Sequence, residues 1–135
     1  MIKKILITFL LLTSISASAA NWKEVAKTED GTVTYYVDKQ SIEHVGKYLH
    51  VTEMANYADI QSASNKNWQS DVSQVRYDCA KTNSLLMTVK LYAENNAKGK
   101  PIVSYKDGNE NDIKLIASDT VAALIYDYVC HTKIY

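Results

Sequence analysis

The groups through which this chain could do chemistry are few: three histidines, two cysteines, fifteen acidic residues and ten tyrosines. His44, His50 and His131 form neither an H-x-H nor an H-x-x-x-H pair, the spacings that set two imidazoles on one face for a metal. Isolated histidines are more often surface or packed residues than ligands. No metal site is therefore expected, although His44, next to Glu43, and His50 could converge in space. Gly31, Gly46, Gly99 and Gly108 lie too far apart to build a phosphate cradle, so no nucleotide or other cofactor is expected. Ser41 is not set in a G-x-S-x-G elbow, and scattered carboxylates single out no acid/base pair. Without a catalytic residue to name, the reading is that the chain is not an enzyme.

The cysteines point to the compartment and to a staple. Lys3 and Lys4 precede an apolar run from Ile5 to Leu12, and Ala17-Ser18-Ala19 supplies small residues for cleavage after residue 19 or 20, the pattern of a secretory signal peptide. Residues 20–135 are then a single domain, exported to the periplasm or to the cell surface and medium. Its longest apolar run, Val121 to Tyr126, is far short of the ~20 residues that span a bilayer. Cleavage leaves 13 basic residues against 15 acidic ones, a balance that argues against a nucleic-acid partner. In an oxidising compartment Cys79 and Cys130 form one disulfide; a redox or metal pair would need C-x-x-C spacing or nearby histidines.

These residues must be positioned by strands and one helix. Segments rich in Val, Ile, Thr and Tyr recur between polar clusters: Trp22 to Lys27, Thr32 to Asp38, Lys47 to Asn56, Asp71 to Cys79, Leu85 to Glu94 and Pro101 to Lys106. Glu29-Asp30-Gly31 reads as a hairpin turn, with Gly31 at positive φ. Asp38 should end its strand by an Asx-turn at Gln40 and Ser41. Asp59 to Asn67 has no apolar pattern and reads as the longest loop. In Leu85 to Glu94 the period of two places Leu85, Met87, Val89, Leu91 and Ala93 on one face and Thr88, Lys90, Tyr92 and Glu94 on the other. Val121, Leu124, Ile125, Tyr128 and Val129 form a helical stripe, capped by Ser118 or Asp119, with Cys130 outside it. The expected fold is α+β: a single antiparallel sheet of about six strands packed by a C-terminal helix, with one disulfide.

A lone helix cannot cover both faces of such a sheet, so the other face must be polar, dimerised or bound to a partner. Tyrosine suits both a half-buried strand and a protein interface. Tyr35, Tyr77 and Tyr128 are expected in the core, whereas Tyr36 and Tyr92 point outward. Tyr36, Lys90, Tyr92, Lys98 and Lys100 are the candidate partner-binding residues, where charge and aromatic area coincide; the same residues also read as a solvated hairpin.

Taken in order, Trp22, Tyr35-Tyr36-Val37-Asp38-x-x-Ser41-Ile42, Ser70 through Asp78-Cys79, Leu91-Tyr92 before Gly99, and Tyr128-Val129-Cys130 resemble the surface-adhesin protein E family of bacterial envelope proteins. The resemblance implies a six-stranded sheet packed by a C-terminal helix and tied by the disulfide. It also implies non-enzymatic attachment to host-cell or extracellular-matrix proteins, and homodimerisation. Lys114-Leu115 and Ala117-Ser118-Asp119 depart from the family pattern, which has a Trp and a Pro-containing turn there, and no cysteine for lipid attachment lies near the cleavage point. The alternative function is a periplasmic accessory or inhibitor protein acting on an envelope enzyme.

Overall fold

A computed structural model describes residues 20–131, and the expected signal peptide, residues 1–19, lies outside the described residues. The strands are β1 (Trp22–Lys27), β2 (Val33–Asp38), β3 (Glu43–Val45), β4 (Tyr48–Ala63), β5 (Lys66–Asp78), β6 (Asn83–Tyr92), β7 (Val103–Lys106) and β8 (Lys114–Leu115), followed by helix α1 (Val121–His131). They form one sheet in the order β1-β2-β4-β5-β6-β7, with β3 beside β4 and β8 beside β6. Every pairing is antiparallel. The six strands on the main path are the six expected, with longer hairpin arms, and the fold class is as read from the sequence.

Local chemistry sets the first turns. Gly31 takes φ +73° between β1 and β2, and the Asp30 carboxylate accepts from the Thr32 N–H at 3.0 Å and the Thr28 hydroxyl at 2.8 Å. These donors hold the Asp30 carboxyl below its ordinary range. Asp38 ends β2 as an Asx-turn, its Oδ1 accepting from the Gln40 N–H at 3.1 Å.

The core lies between one face of the sheet and α1. Val37, Val51, Val75 and Tyr77 from the sheet meet Ile125, Tyr126 and Val129 from the helix, with Tyr35 and Tyr128 packed against their edge. The disulfide joins Cys79, just beyond β5, to Cys130 with 5.7 Å between Cα atoms. Tyr126 adds a second fastening there by donating its hydroxyl hydrogen to the Cys79 carbonyl at 2.6 Å.

Four local expectations are corrected. Asp59 to Asn67 is not a loop. Its residues complete a long β4–β5 hairpin closed by Ser64 (φ 49°) and Asn65 (φ 61°). Two consecutive left-handed residues make the turn that matches strand twist, so a polar segment is held in the sheet by its hairpin geometry. The helix buries Tyr126 instead of Leu124, which is 52% exposed. The disulfide and the Tyr126 hydrogen bond rotate the buried stripe toward Cys130. Thr120 caps the helix, accepting from the Ala123 N–H at 3.1 Å, because Asp119 is occupied in the preceding turn at φ 61°.

The fourth correction shapes the surface. Thr88 lies opposite Gln74, but Leu86 lies opposite Val75, so a bulge at Met87 breaks the alternation of β6. Before the bulge the faces are exchanged: Leu86 turns to the helix side and stays 38% exposed, while Leu85 turns away and is buried. Leu85 sits opposite Arg76, whose guanidinium lies 4.0 Å from the Tyr48 ring and pairs with Glu110 at 2.7 Å.

Candidate functional site

On the face turned away from α1, cross-strand register lines up Tyr36, Met54, Val72, Lys90 and Ser104, with Asn56, Ser70 and Tyr92 in the next row. A cleft of about 550 Å³ opens over β4 to β7, lined in part by Thr52, Gln74, Thr88, Lys90, Tyr92 and Lys106. Among the described residues no carboxylate lines it. Its electrostatic character is therefore cationic, and the Tyr92 ring adds apolar area beside hydroxyl and amide groups.

Of the candidate contacts, Lys90 and Tyr92 share this cleft. Tyr36 stands on the same face three strand spacings away, about 14 Å at ~4.8 Å per strand; it lines a shallower hollow with Thr34, Asn56 and Asn96. Lys98 and Lys100 are exposed in the segment after a 3-10 turn at Asn95–Ala97 and line neither concavity. That turn is pinned to the sheet: Ser70, fully buried, donates to the Glu94 carbonyl at 2.5 Å and accepts from the Ala97 N–H at 3.0 Å. Asn95 Nδ2 reaches the Tyr57 and Gln69 carbonyls at 3.0 and 2.9 Å. The two lysines thus follow a fixed anchor. Lys106 and Gln74, not singled out in the sequence, complete the cleft through strand pairing.

The helix side holds two carboxylates that the sequence reading passed over. Glu53 lies between Val51 and Ala55 in β4, and the period of two alone would have shown it on the core side. The Tyr77 hydroxyl donates to Glu53 Oε1. Burial pushes the Glu53 carboxyl up to about 7, the charge of Asp71 adds to this and the Tyr77 hydrogen bond opposes it. Asp71 is also raised by burial, against the hydrogen bond from the Tyr57 hydroxyl at 2.7 Å. The tyrosines respond in kind: Tyr35, Tyr57 and Tyr77 are all pushed up by burial and by the neighbouring carboxylates.

Among the described residues no group of three or more His, Cys, Asp or Glu side chains is placed to hold a metal. His50 pairs across strands with Glu43, and His44 with Leu49; His131 lies 3.9 Å from Asp127 on α1. No helix among the described residues is long and apolar enough to cross a membrane.

Fold and surfaces together define a class: a small α+β module, tied by one disulfide, that carries its helix on one sheet face and offers the other. The chain belongs to the surface-adhesin protein E family, whose sequence profile matches residues 22–131. It is an adhesin-like surface protein. Among solved structures, crystal form II of Haemophilus influenzae protein E is similar at TM-score 0.62 and 14% identity, over 82% of this chain and 87% of that one. A second Haemophilus influenzae protein E structure gives TM-score 0.60 and 15% identity, over 82% and 83%. At such identity the likeness shows the shared fold. No curated protein matches the chain in sequence.

Proposed function

We propose that the chain is exported behind residues 1–19 and acts, without catalysis, as a binding module for a host-cell or extracellular-matrix protein. Lys90 and Tyr92 make the central contacts, and Tyr36, Lys98 and Lys100 widen the contact surface. The observation that carries this reading is the cleft itself: lysines and an aromatic ring over a sheet face, with no carboxylate in the lining among the described residues. Such a surface selects an acidic partner segment, with Tyr supplying rigid contact area and Lys steering approach.

A pull-down with immobilised matrix proteins, repeated with the Lys90→Ala/Tyr92→Ala variant, tests the assignment. Capture that survives the double substitution would place the contact elsewhere. Sedimentation of the purified protein tests whether this face is instead occupied by a second copy. Protection from external protease in intact cells would favour the periplasmic accessory or inhibitor role over attachment.

A further inference from the structure

The bulge at Met87 leaves a groove on the helix side, bounded by α1 at one end and by the β4–β5 hairpin at the other. Two hollows of about 480 and 410 Å³ meet at Leu86 and Asp107, which line both. The first has apolar walls from Val75, Ala122 and Ile125, with Glu53 and Tyr77 below and Asp107 and Asp112 at the side. The second is mainly apolar, lined by Trp68, Leu86, Val89, Leu91 and Tyr105, with Lys66 and Asp107 also in its lining.

We infer that this groove is a second binding site, for an extended peptide segment that carries a lysine or arginine beside an apolar side chain. The cation enters the hollow of Glu53, and the neighbouring apolar group lies on Trp68 and Leu86. Charge complementarity carries the assignment: among the described residues three carboxylates line this hollow against one cation, Lys114. Glu53 points to a ligand independently of the other two acids. Tyr77 satisfies only its Oε1, and no fully buried side-chain oxygen lacks a partner among the described residues. Oε2 has no donor among the described residues, and the Glu53 side chain lines the hollow. A long cationic side chain, with an apolar stem and a charged head, fits such walls and such a floor.

Binding is coupled to a proton. With its carboxyl near 7, Glu53 must ionise to receive the cation. The titratable and charged groups around it are Tyr35 from β2, Asp71 and Tyr77 from β5, Asp107 and Asp112 from the β7–β8 connection, and Lys114 from β8. Helix α1 contributes only Ala122 and Ile125 to the lining.

The test uses the purified protein and end-blocked peptides without tryptophan, Gly-Lys-Leu-Phe-Gly and its Glu and norleucine counterparts at the Lys position, with Trp fluorescence and calorimetry. The Lys peptide should bind at least tenfold more tightly than either counterpart. Its affinity should rise up to about tenfold from pH 6 to pH 8, the change in ionised fraction of a group near 7. Glu53→Gln should remove that rise, and Leu86→Lys, at an exposed rim position, should abolish binding with the fold intact. Lys90→Ala should change neither, which separates this site from the cleft on the opposite face. Equal affinity for the three peptides, no binding at millimolar concentration, or unchanged binding in both groove variants would each overturn the assignment.

Discussion

The Tyr126 hydroxyl donates to the Cys79 carbonyl at 2.6 Å, four residues before Cys130 closes the disulfide to the same Cys79. The helix is thus fastened twice to the end of β5, on one helical face. For a separation of 51 residues, the chain-entropy model gives the disulfide about 4 kcal/mol. Denaturant unfolding of Cys79→Ser/Cys130→Ser should show a loss of that order. Tyr126→Phe, which keeps the ring and removes one hydrogen bond, should cost about 1 kcal/mol.

Stability should fall as pH rises through the titration of Glu53. Its carboxyl is raised in the folded state from 4.5 to about 7, so the folded chain binds this proton more tightly than the unfolded chain. The stabilisation is fully present below about 4.5 and lost as pH rises through about 7, a difference on the order of 3 kcal/mol. Asp71, raised in the same direction, adds to the slope. Urea melts of Glu53→Gln should show a flatter profile between pH 5 and 8 and greater stability than the parent at pH 8. An unchanged slope would mean that Glu53 titrates normally.

Ser70 is the anchor for the segment that leads to Lys98 and Lys100. Ser70→Ala strands the Glu94 carbonyl and the Ala97 N–H, both of which it serves, and should cost about 2 kcal/mol. Hydrogen exchange should accelerate at Ala97 more than at β4 or β5. A uniform change would show that the turn is not held separately.

The β4–β5 hairpin can be made stiffer. Ser64 and Asn65 both sit at positive φ, a conformation that Asn-Gly adopts with less strain. Ser64→Asn with Asn65→Gly should raise stability by about 0.5–1 kcal/mol in thermal melts. A loss would show that the side chains present, not the backbone, set this turn.

Partner binding should depend unevenly on the five candidate contacts. Lys90 and Tyr92 share the cleft, so their joint replacement by alanine should weaken a captured partner by tenfold or more, about 1.4 kcal/mol. Lys98→Ala/Lys100→Ala should act mainly on the association rate and its salt dependence, as expected for exposed rim charges. Surface plasmon resonance at two salt concentrations separates the two effects. Equal losses at both pairs would argue for one continuous contact.

The sequence by itself determined the six strands of the main path, though not the long arms of β4 and β5 nor the short β3 and β8, together with the Gly31 turn, the Asp38 Asx-turn and the disulfide pair, because each follows from local periodicity, backbone freedom or a count of two cysteines. It also placed Lys90 and Tyr92 on one face, since they lie beyond the Met87 bulge and keep the period of two. Only the tertiary structure decided that Leu86 and Leu85 exchange sides, because the bulge is a mismatch of length between β5 and β6. Likewise the helix buries Tyr126 and not Leu124 because covalent and hydrogen-bond ties to Cys79 outweigh the apolar stripe read along the helix alone. The separation of Tyr36 from Lys90, and the meeting of Glu53 with Tyr77, depend on strand order and register. These are contacts between distant segments, whose chemistry no local window of sequence contains.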